Sequence, residues 1–342
     1  GSVVQSVGIG STTKQLIGGK SSPININGLD NFKLEGVYGF RPEDIAGFID
    51  ETHGRWTNTW AGQAKSTIKA LDEIARASAQ KSTVAYPNTG TGRRLKDVAA
   101  LLKSGIGVRA VDVEFEGDWD MHGNMGSIEN GWLSGYLGDL AGSIAAFRED
   151  LGVLWVRVTV VTVTEFGRRV SGNESNGTEH GWGSSMFVAG GGVNGGKIHG
   201  RFPGLDEKQL KDGDLVVTAD YRSLLTEILT RRAGVSVKGA AEIFPNFRPE
   251  VLSVMKHLSE TPLPANFPKG VMDGLGSVYY DKDALPTPAP TVVASAAATP
   301  SPSPTQVRPT STKKVITCVK GGRTIKVTGK NPKCPTGYTI KP

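Results

Sequence analysis

The strongest constraint on the fold is the alternation of helical and strand patterns between residues 59 and 232. Apolar residues at helical spacing predict helices over 59–79, 95–103, 132–151 and 219–232, and β-branched runs predict strands over 108–115, 155–164 and 186–189. The apolar run 155–164 is expected to be a central strand that is buried on both faces. This order predicts an α/β domain with a mostly parallel sheet flanked by helices, whose ligands gather at the carboxyl ends of the strands.

Composition divides the chain into three predicted parts. Residues 285–312 are rich in Pro, Ser, Thr and Ala, a composition that favours an extended, semi-rigid linker. We therefore expect an α/β domain over 1–284, the linker, and a small module over 313–342. Residues 1–45 are glycine-rich and polar with only short strand-like runs, and they resemble the middle of a domain. We expect the α/β domain to be incomplete at its N-terminus.

The C-terminal module has a hairpin pattern and holds both cysteines. Two β-branched runs, 313–320 and 323–328, flank Gly321-Gly322, which is typical of a β-hairpin. A disulfide between Cys318 and Cys334 in an oxidising compartment is predicted, and the alternative is two free thiols in a cytosolic protein. The proline-rich linker favours export, so the expected location is secreted or at the cell surface.

The basic charge of the chain belongs to its C-terminal part. Of the 39 Lys and Arg residues nine lie within 286–342, which contains no acid, so residues 1–285 carry 30 basic and 33 acidic side chains. The α/β domain therefore has no predicted nucleic-acid surface, whereas the tail can bind an anionic polymer. No apolar run approaches the roughly 20 residues of a membrane-spanning helix, so no membrane span is expected.

Candidate metal ligands follow two of the predicted elements. Asp118, Asp120 and His122 come after the strand predicted over 108–115, and His180 follows Glu179 in a loop. Carboxylate and imidazole together suit zinc and are tolerated by manganese or iron, and a neighbouring carboxylate can orient His180. The alternatives stay open: a solvated acidic turn beside a surface histidine, and a histidine on a surface loop.

Two further residues are candidates for catalysis. Glu165 ends the strand expected to be most buried, so its carboxylate should be hydrogen-bonded, paired or bound to metal. Arg168 and Arg169 are near enough for an ion pair, although Arg168 can equally clamp a phosphate or sulfate. The glycine run 190–196 either brings backbone amides to an anion or makes a tight connection. No nucleophile motif is present.

Five segments in order carry a resemblance to a known family. They are Trp119-Asp120-Met121-His122, the run 164–169 (Thr-Glu-Phe-Gly-Arg-Arg), the run 177–181 (Gly-Thr-Glu-His-Gly), the glycines of 190–196, and the run 218–222 (Thr-Ala-Asp-Tyr-Arg). Together they resemble a bacterial family of secreted proteins, number 1501 among the domains of unknown function. Its members look like distant relatives of the alkaline phosphatase and sulfatase superfamily.

The resemblance implies a metal site. Asp118 or Asp120 together with His122 is similar to the superfamily's Asp-x-x-x-His ligand pair, and His180 is similar to its last histidine ligand. Phe166 stands where a further histidine would be, so one ligand is lost. The C-terminal module resembles lysine-rich cysteine modules at the ends of aquatic actinobacterial surface proteins.

The expected function is an exported, metal-dependent hydrolase of phosphate or sulfate esters. Zinc, manganese, iron or calcium would be bound by Asp118, Asp120, His122 and His180, with Glu165 and Arg168 in catalysis. The alternative is a non-catalytic cell-envelope protein that keeps the fold and holds an anionic cell-surface polymer with its basic tail.

Overall fold

A computed structural model describes residues 4–10, 23–33, 41–53, 59–127, 129–268, 314–321, 323–329 and 332–340. The chain divides into two compact units, residues 1–288 and residues 289–342. The predicted linker, 285–312, lies outside the described residues. No helix in the described ranges combines the length and the apolarity that a membrane crossing requires.

The helices in the described part of the first unit follow the predicted pattern closely. They are α1 (Pro42–His53), α2 (Thr59–Ser78), α3 (Gly90–Lys103), α4 (Trp132–Leu151), α5 (Tyr221–Arg231) and α6 (Val237–Ile243). The bounds of α4 are those predicted, and α5 begins after Asp220, whose carboxylate accepts a hydrogen bond from the Arg222 amide. Only α1 and α6 were not predicted. The first turn of α1 has proline at its first position followed by two acids, a recognised start signal.

The strands form several small sheets. Those of the first unit are β1 (Ser6–Ile9), β2 (Ile24–Ile26), β3 (Ala110–Val113), β4 (Thr159–Val161), β5 (Gly167–Arg168), β6 (His180–Gly181) and β7 (Val188–Gly190). The order β2-β1-β3 makes a parallel sheet, while β4 pairs with β7 and β5 pairs with β6 in antiparallel ladders. The predicted α/β class is therefore confirmed, but the parallel sheet that the described residues form is small and has three strands.

The main hydrophobic core lies where the parallel sheet packs against α2, α3 and α4. Val4, Val7 and Ile9 are almost fully buried, and they contact apolar residues of the three helices, such as Ile74 and Phe147. The strand β1 is thus the centre of the sheet, although the sequence around it is rich in glycine. A second, smaller cluster around Leu224, Val254 and Met255 packs against β4 and β7.

The prediction of a central strand over 155–164 is wrong. Gly152 ends α4 with a φ of 51°, and residues Gly152–Arg157 form a 3-10 helix. Leu154 and Trp155 pack into the main core from this helical turn, where Trp155 contacts the Phe147 ring edge-on. Within this run only β4 is a paired strand. Its three residues are half-buried, and its partner β7 is antiparallel.

A buried ion pair holds the C-terminal ends of α3 and α4 together. Lys103 Nζ lies 2.7 Å from Asp150 Oδ1, and the Tyr86 hydroxyl donates to Asp150 Oδ2 at 3.0 Å. Burial alone would raise the pKa of the Asp150 carboxyl. The hydrogen bonds from Lys103, Ser82 and Tyr86 outweigh that effect and leave this pKa below its usual range.

The second unit contains a three-stranded antiparallel sheet in the order β10-β8-β9. Its strands are β8 (Lys314–Lys320), β9 (Arg323–Gly329) and β10 (Thr339–Ile340). The predicted hairpin is confirmed, with Lys320 opposite Arg323 at the turn. A disulfide joins Cys318 to Cys334 as predicted, and Cys318 is fully buried. A unit of this size has little apolar surface to bury, so the cross-link is a main source of its stability.

Replacing Asp150 should uncouple the ends of α3 and α4. Asp150→Asn removes the charge that Lys103 and Tyr86 share, and we expect a loss of about 1–3 kcal/mol in the free energy of unfolding near pH 7. Because the pKa of Asp150 is lowered by folding, its contribution is present above about pH 4 and is lost as the pH falls further. Urea unfolding at several pH values measures both effects.

The neighbouring Glu149→Gln is the matched control, because no hydrogen bond or ion pair of the exposed Glu149 carboxylate occurs in the described residues. This account would be contradicted if both variants lost the same free energy of unfolding. It would also be contradicted if the difference in that free energy between wild type and Asp150→Asn did not become smaller in acid.

Candidate metal centre

The first half of the site is the segment that follows β3. Trp119 packs between Phe115 and Tyr136, with ring centroids 5.0 Å and 5.6 Å away, and the Asp118 amide donates to the Tyr136 hydroxyl. Asp118 Oδ1 accepts a hydrogen bond of 3.0 Å from the Asp120 amide. The Asp118 carboxylate therefore shapes the turn that presents Asp120, and it is not part of the ligand group described below.

The second half of the site is the loop between β5 and β6, together with His180 in β6. This loop crosses the segment that carries Asp120 and His122. Arg168 and His180 are opposite each other in the ladder. The Thr178 amide donates to the Met121 carbonyl, and a Cβ at Gly177 would lie 2.3 Å from the carbonyl carbon of His122. Glycine at 177 is therefore what lets this loop pass directly against the backbone of His122.

The crossing brings one carboxylate and two imidazoles together. Asp120 Oδ1 lies 2.6 Å from His180 Nε2 and 3.0 Å from His122 Nε2, and the two imidazole rings are 5.0 Å apart. One ligand atom from each of the three residues falls within 4.8 Å of the others, and each of these side chains is about half exposed. The hydrogen bond with His180, helped by the nearby charges of His122 and Arg168, lowers the pKa of Asp120.

A second carboxylate orients His122 from behind. His122 Nδ1 lies 2.7 Å from Glu179 Oε2, and Asn173 Nδ2 donates to Glu179 Oε1 at 2.8 Å. The bonds from Asn173 and His122 lower the pKa of Glu179. Sequence reasoning expected a neighbouring carboxylate to orient His180, but the structure places the Glu179 carboxylate on His122. The role of Asn173 was not predicted, since its spacing to His122 carries no signal.

The donor set fits a divalent cation. Both ring nitrogens of His122 face carboxylate oxygens, whereas a neutral imidazole has only one N–H to donate. The second nitrogen therefore needs a positive partner between it and Asp120, which is either a proton or a metal ion. Two imidazoles and one carboxylate form a set that zinc, manganese or iron accepts. Calcium takes oxygen ligands and fits this set less well.

Phe166 lies against the same cluster, at the position where the resemblance places a histidine. Its ring stacks on the His180 ring with centroids 3.9 Å apart and 14° between the planes. The guanidinium carbon of Arg168 lies 4.9 Å from the centroid of the Phe166 ring. The side chain at 166 thus supplies an apolar wall that fixes the face of His180, and it contributes no ligand atom.

Arg168 links the two halves of the site. Its Nη1 donates to the Thr178 carbonyl at 2.6 Å, its Nη2 donates to the Trp119 carbonyl, and Nη2 also lies 3.4 Å from Asp120 Oδ1. Much of its donor capacity is therefore used to hold backbone, which makes it a positioning residue. Its positive charge nevertheless remains beside Asp120.

The expectation that the Glu165 carboxylate is buried and paired with an arginine is wrong. The residue follows a short strand rather than a buried one, its side chain is exposed, and no hydrogen bond or ion pair of its carboxylate occurs in the described residues. Neither neighbouring arginine pairs with it, because Arg168 contacts Asp120 and Arg169 Nε lies 2.9 Å from Asp214 Oδ1. Among the described residues, Glu165 is therefore an unpaired carboxylate one residue before the Phe166 wall.

The glycine run 190–196 forms a tight connection. A Cβ at Gly190 would meet the Val158 carbonyl oxygen at 2.2 Å, and one at Gly192 would meet the Arg232 guanidinium at 2.3 Å. Arg232 is buried there and donates to the Val156 carbonyl and to Thr261. Gly190 is thus required for close packing against Val158, and Gly192 for close packing against Arg232.

A family model matches the part of the chain that carries the candidate metal centre. A family model described as "Protein of unknown function (DUF1501)" matches residues 64–231, which include Asp120, His122 and His180. The match supports the family that the sequence motifs predicted. No curated protein matches the chain. No solved structure matches it either.

Adding a methyl group at Gly177 should separate the two halves of the site. In Gly177→Ala the new Cβ would overlap the backbone of His122, so the loop must move, at a cost of about 1–3 kcal/mol. We expect the contact between the His122 and His180 rings to be lost, measured as the loss of nuclear Overhauser effects between their ring protons. Gly172→Ala is the control, because its nearest neighbour would be 3.6 Å away. Retention of these signals in Gly177→Ala would refute the crossing.

Proposed function

We propose that this protein is a metal-dependent hydrolase of phosphate or sulfate esters. The observation that carries the proposal is the convergence of Asp120, His122 and His180, whose ligand atoms lie within 4.8 Å of one another at the crossing of two loops. The three residues come from two segments that are almost 60 positions apart. Both histidines contact the same oxygen of Asp120, which accounts for the close approach of the three side chains.

The residues of the chain divide the work. Asp120, His122 and His180 would hold the ion, and Glu179 with Asn173 would keep His122 in one orientation. A bound divalent ion supplies an activated water and stabilises the negative charge that develops on the ester. Phe166 would shield one face of His180 from solvent.

Arg168 and Glu165 have the remaining roles in this proposal. The Arg168 guanidinium adds positive charge beside Asp120, and those of its N–H groups that do not bind backbone carbonyls can contact an anionic ester. Glu165, exposed and without a partner in the described ranges, can accept a proton from water. Asp118 supports the turn below the site, as its hydrogen bond with the Asp120 amide indicates.

An exported location is part of the proposal. The disulfide between Cys318 and Cys334 supports it, because such cross-links persist in oxidising compartments. The relation to the alkaline phosphatase and sulfatase superfamily is proposed on the sequence motifs and on the mixed carboxylate and imidazole ligand set.

Removing both histidines should abolish metal binding. Wild-type protein should bind zinc or manganese, measured by isothermal titration calorimetry, and should hydrolyse para-nitrophenyl phosphate or sulfate. In His122→Ala/His180→Ala we expect the affinity to fall more than ~100-fold, since even outer partners of ligands typically contribute 10- to 100-fold. Hydrolysis should fall with it.

His257→Ala is the matched control, since His257 contacts Ser259 and lies outside the crossing loops. Glu179→Gln should weaken binding about tenfold. Equal metal affinity in the double variant and wild type would refute the metal centre. Metal binding without ester hydrolysis would refute the enzymatic part alone.

A second candidate function is retention on an anionic cell-surface polymer by the C-terminal unit. Five basic residues fall within its described part, Lys314, Lys320, Arg323, Lys326 and Lys333, and residues 286–342 contain no acid. The register places the basic residues Lys320 and Arg323 directly opposite each other at the hairpin turn. Such a cluster favours polyanions by a charge attraction that salt screens.

Neutralising the turn should weaken polyanion binding. We expect the full chain carrying Lys320→Gln/Arg323→Gln to elute from a dextran sulfate column at a clearly lower salt concentration than wild type, and a chain lacking 286–342 to flow through. Thr324→Gln, an exposed change in the same strand, should elute with wild type. Unchanged elution of the double variant and the truncated chain would exclude this function.

A further inference from the structure

An open groove in the described residues lies beside the candidate metal centre. It has a volume of about 620 Å³ and runs between the N-terminal ends of α3 and α4. Residues 116 and 117, which follow β3, line it and continue directly into the segment that carries Asp120 and His122. The Tyr136 side chain lines the groove and also accepts the hydrogen bond from the Asp118 amide.

Aromatic surface is the first feature of this groove. Trp132, at the first position of α4, lines it and is half exposed, and Tyr136 follows one helical turn later. The Tyr136 ring is fixed by its contacts with Phe115 and Trp119, whose centroids are 6.3 and 5.6 Å away. A rigid aromatic surface of this kind binds the apolar face of a ligand at low entropic cost.

The charges of the groove balance. Its lining contains Arg93, Glu116 and Asp139, and Arg94 lies 3.1 Å from Glu116 Oε1. Two positive and two negative side chains therefore sum to zero. An ion of either sign gains no net attraction, whereas an entirely apolar ligand would strip water from charged groups at a cost.

Several amides at the helix ends beside the groove already have partners within the chain, which argues against an anion. The first amides of α4, those of Trp132 and Leu133, donate to the carbonyls of Asn124 and Met125. At α3 the Thr89 side chain accepts from the Gly92 amide. The Glu116 carboxylate lies against Gly90, where a Cβ would be only 1.7 Å from its oxygen. A carboxylate of the chain thus occupies the position where a phosphate would bind.

From this combination we infer that the groove between α3 and α4 is a binding site for a neutral saccharide. A pyranose ring has an apolar face that stacks on an indole, and its hydroxyls donate to carboxylates and accept from a guanidinium. Trp132 supplies the stacking surface. Glu116 and Asp139 supply acceptors, and the Arg93 guanidinium, which has no hydrogen bond or ion pair within the described ranges, supplies donors. The site does not require the metal centre.

Two glycines of α4 provide a clean test. A Cβ at Gly135, which lines the groove, or at Gly138, which does not, would meet no atom within 4 Å. Leucine at either position should leave the fold intact and favour the helix by up to about 1 kcal/mol. Gly135→Leu would fill the groove with side chain, whereas Gly138→Leu would add the same side chain outside it.

The experiment uses the full chain and measures binding by saturation-transfer difference NMR and isothermal titration calorimetry. The probes are cellohexaose, maltohexaose and chitohexaose, with spermine and heparin as charged competitors. We expect at least one hexasaccharide to bind wild type and Gly138→Leu equally, and to bind Gly135→Leu and Trp132→Ala at least tenfold more weakly. Trp182→Ala, which removes an exposed indole outside the groove, should bind like wild type.

Three results would each overturn the proposal. The first is that none of the hexasaccharides binds, and the second is that Gly135→Leu binds them as well as Gly138→Leu does. The third is that spermine or heparin binds in a Gly135-dependent way while the sugars do not. Saccharide binding should be retained in His122→Ala/His180→Ala. The experiment therefore distinguishes refutation of the metal-centre proposal from refutation of the saccharide-site proposal.

Discussion

The site depends on one carboxylate oxygen that two histidines share. Asp120 Oδ1 is within 3.0 Å of a ring nitrogen of both His122 and His180. These side chains are about half exposed, and ion pairs in such positions contribute little to stability. The arrangement must therefore be held by the backbone beneath it. That support comes from the passage of Gly177 against His122 and from Arg168, which donates to carbonyls on both loops.

The parts of the fold that local patterns determine were predicted well. The bounds of α4 and the hairpin of the second unit follow from apolar spacing and from turn residues, which act over a few positions. The central position of the strand β1 was not predicted, because its four residues are central only through contacts with helices far along the chain. The segment 152–157 has strand-like composition, but the positive φ of Gly152 starts a helical turn that buries Leu154 and Trp155.

The site shows the same division between local and long-range information. The order of the motifs and the family resemblance selected Asp120, His122 and His180, and the structure brings these three together. Their partners were not predictable, because the pairing of Glu179 with His122 and the carbonyl contacts of Arg168 depend on how two loops cross. Glu165 was expected to be buried and paired, and that expectation failed together with the strand on which it rested. Asp118 was expected as a ligand and instead holds the turn.

The proposed metal centre would account for both nitrogens of His122 facing carboxylates, since a metal ion on one side, like a proton, satisfies what a neutral ring cannot. The most direct test is a crystal structure with data collected above and below the zinc or manganese absorption edge. The account predicts an anomalous peak about 2.0–2.2 Å from a nitrogen of His122, a nitrogen of His180 and an oxygen of Asp120. A map with no peak at this crossing, in crystals that contain the metal, would contradict it.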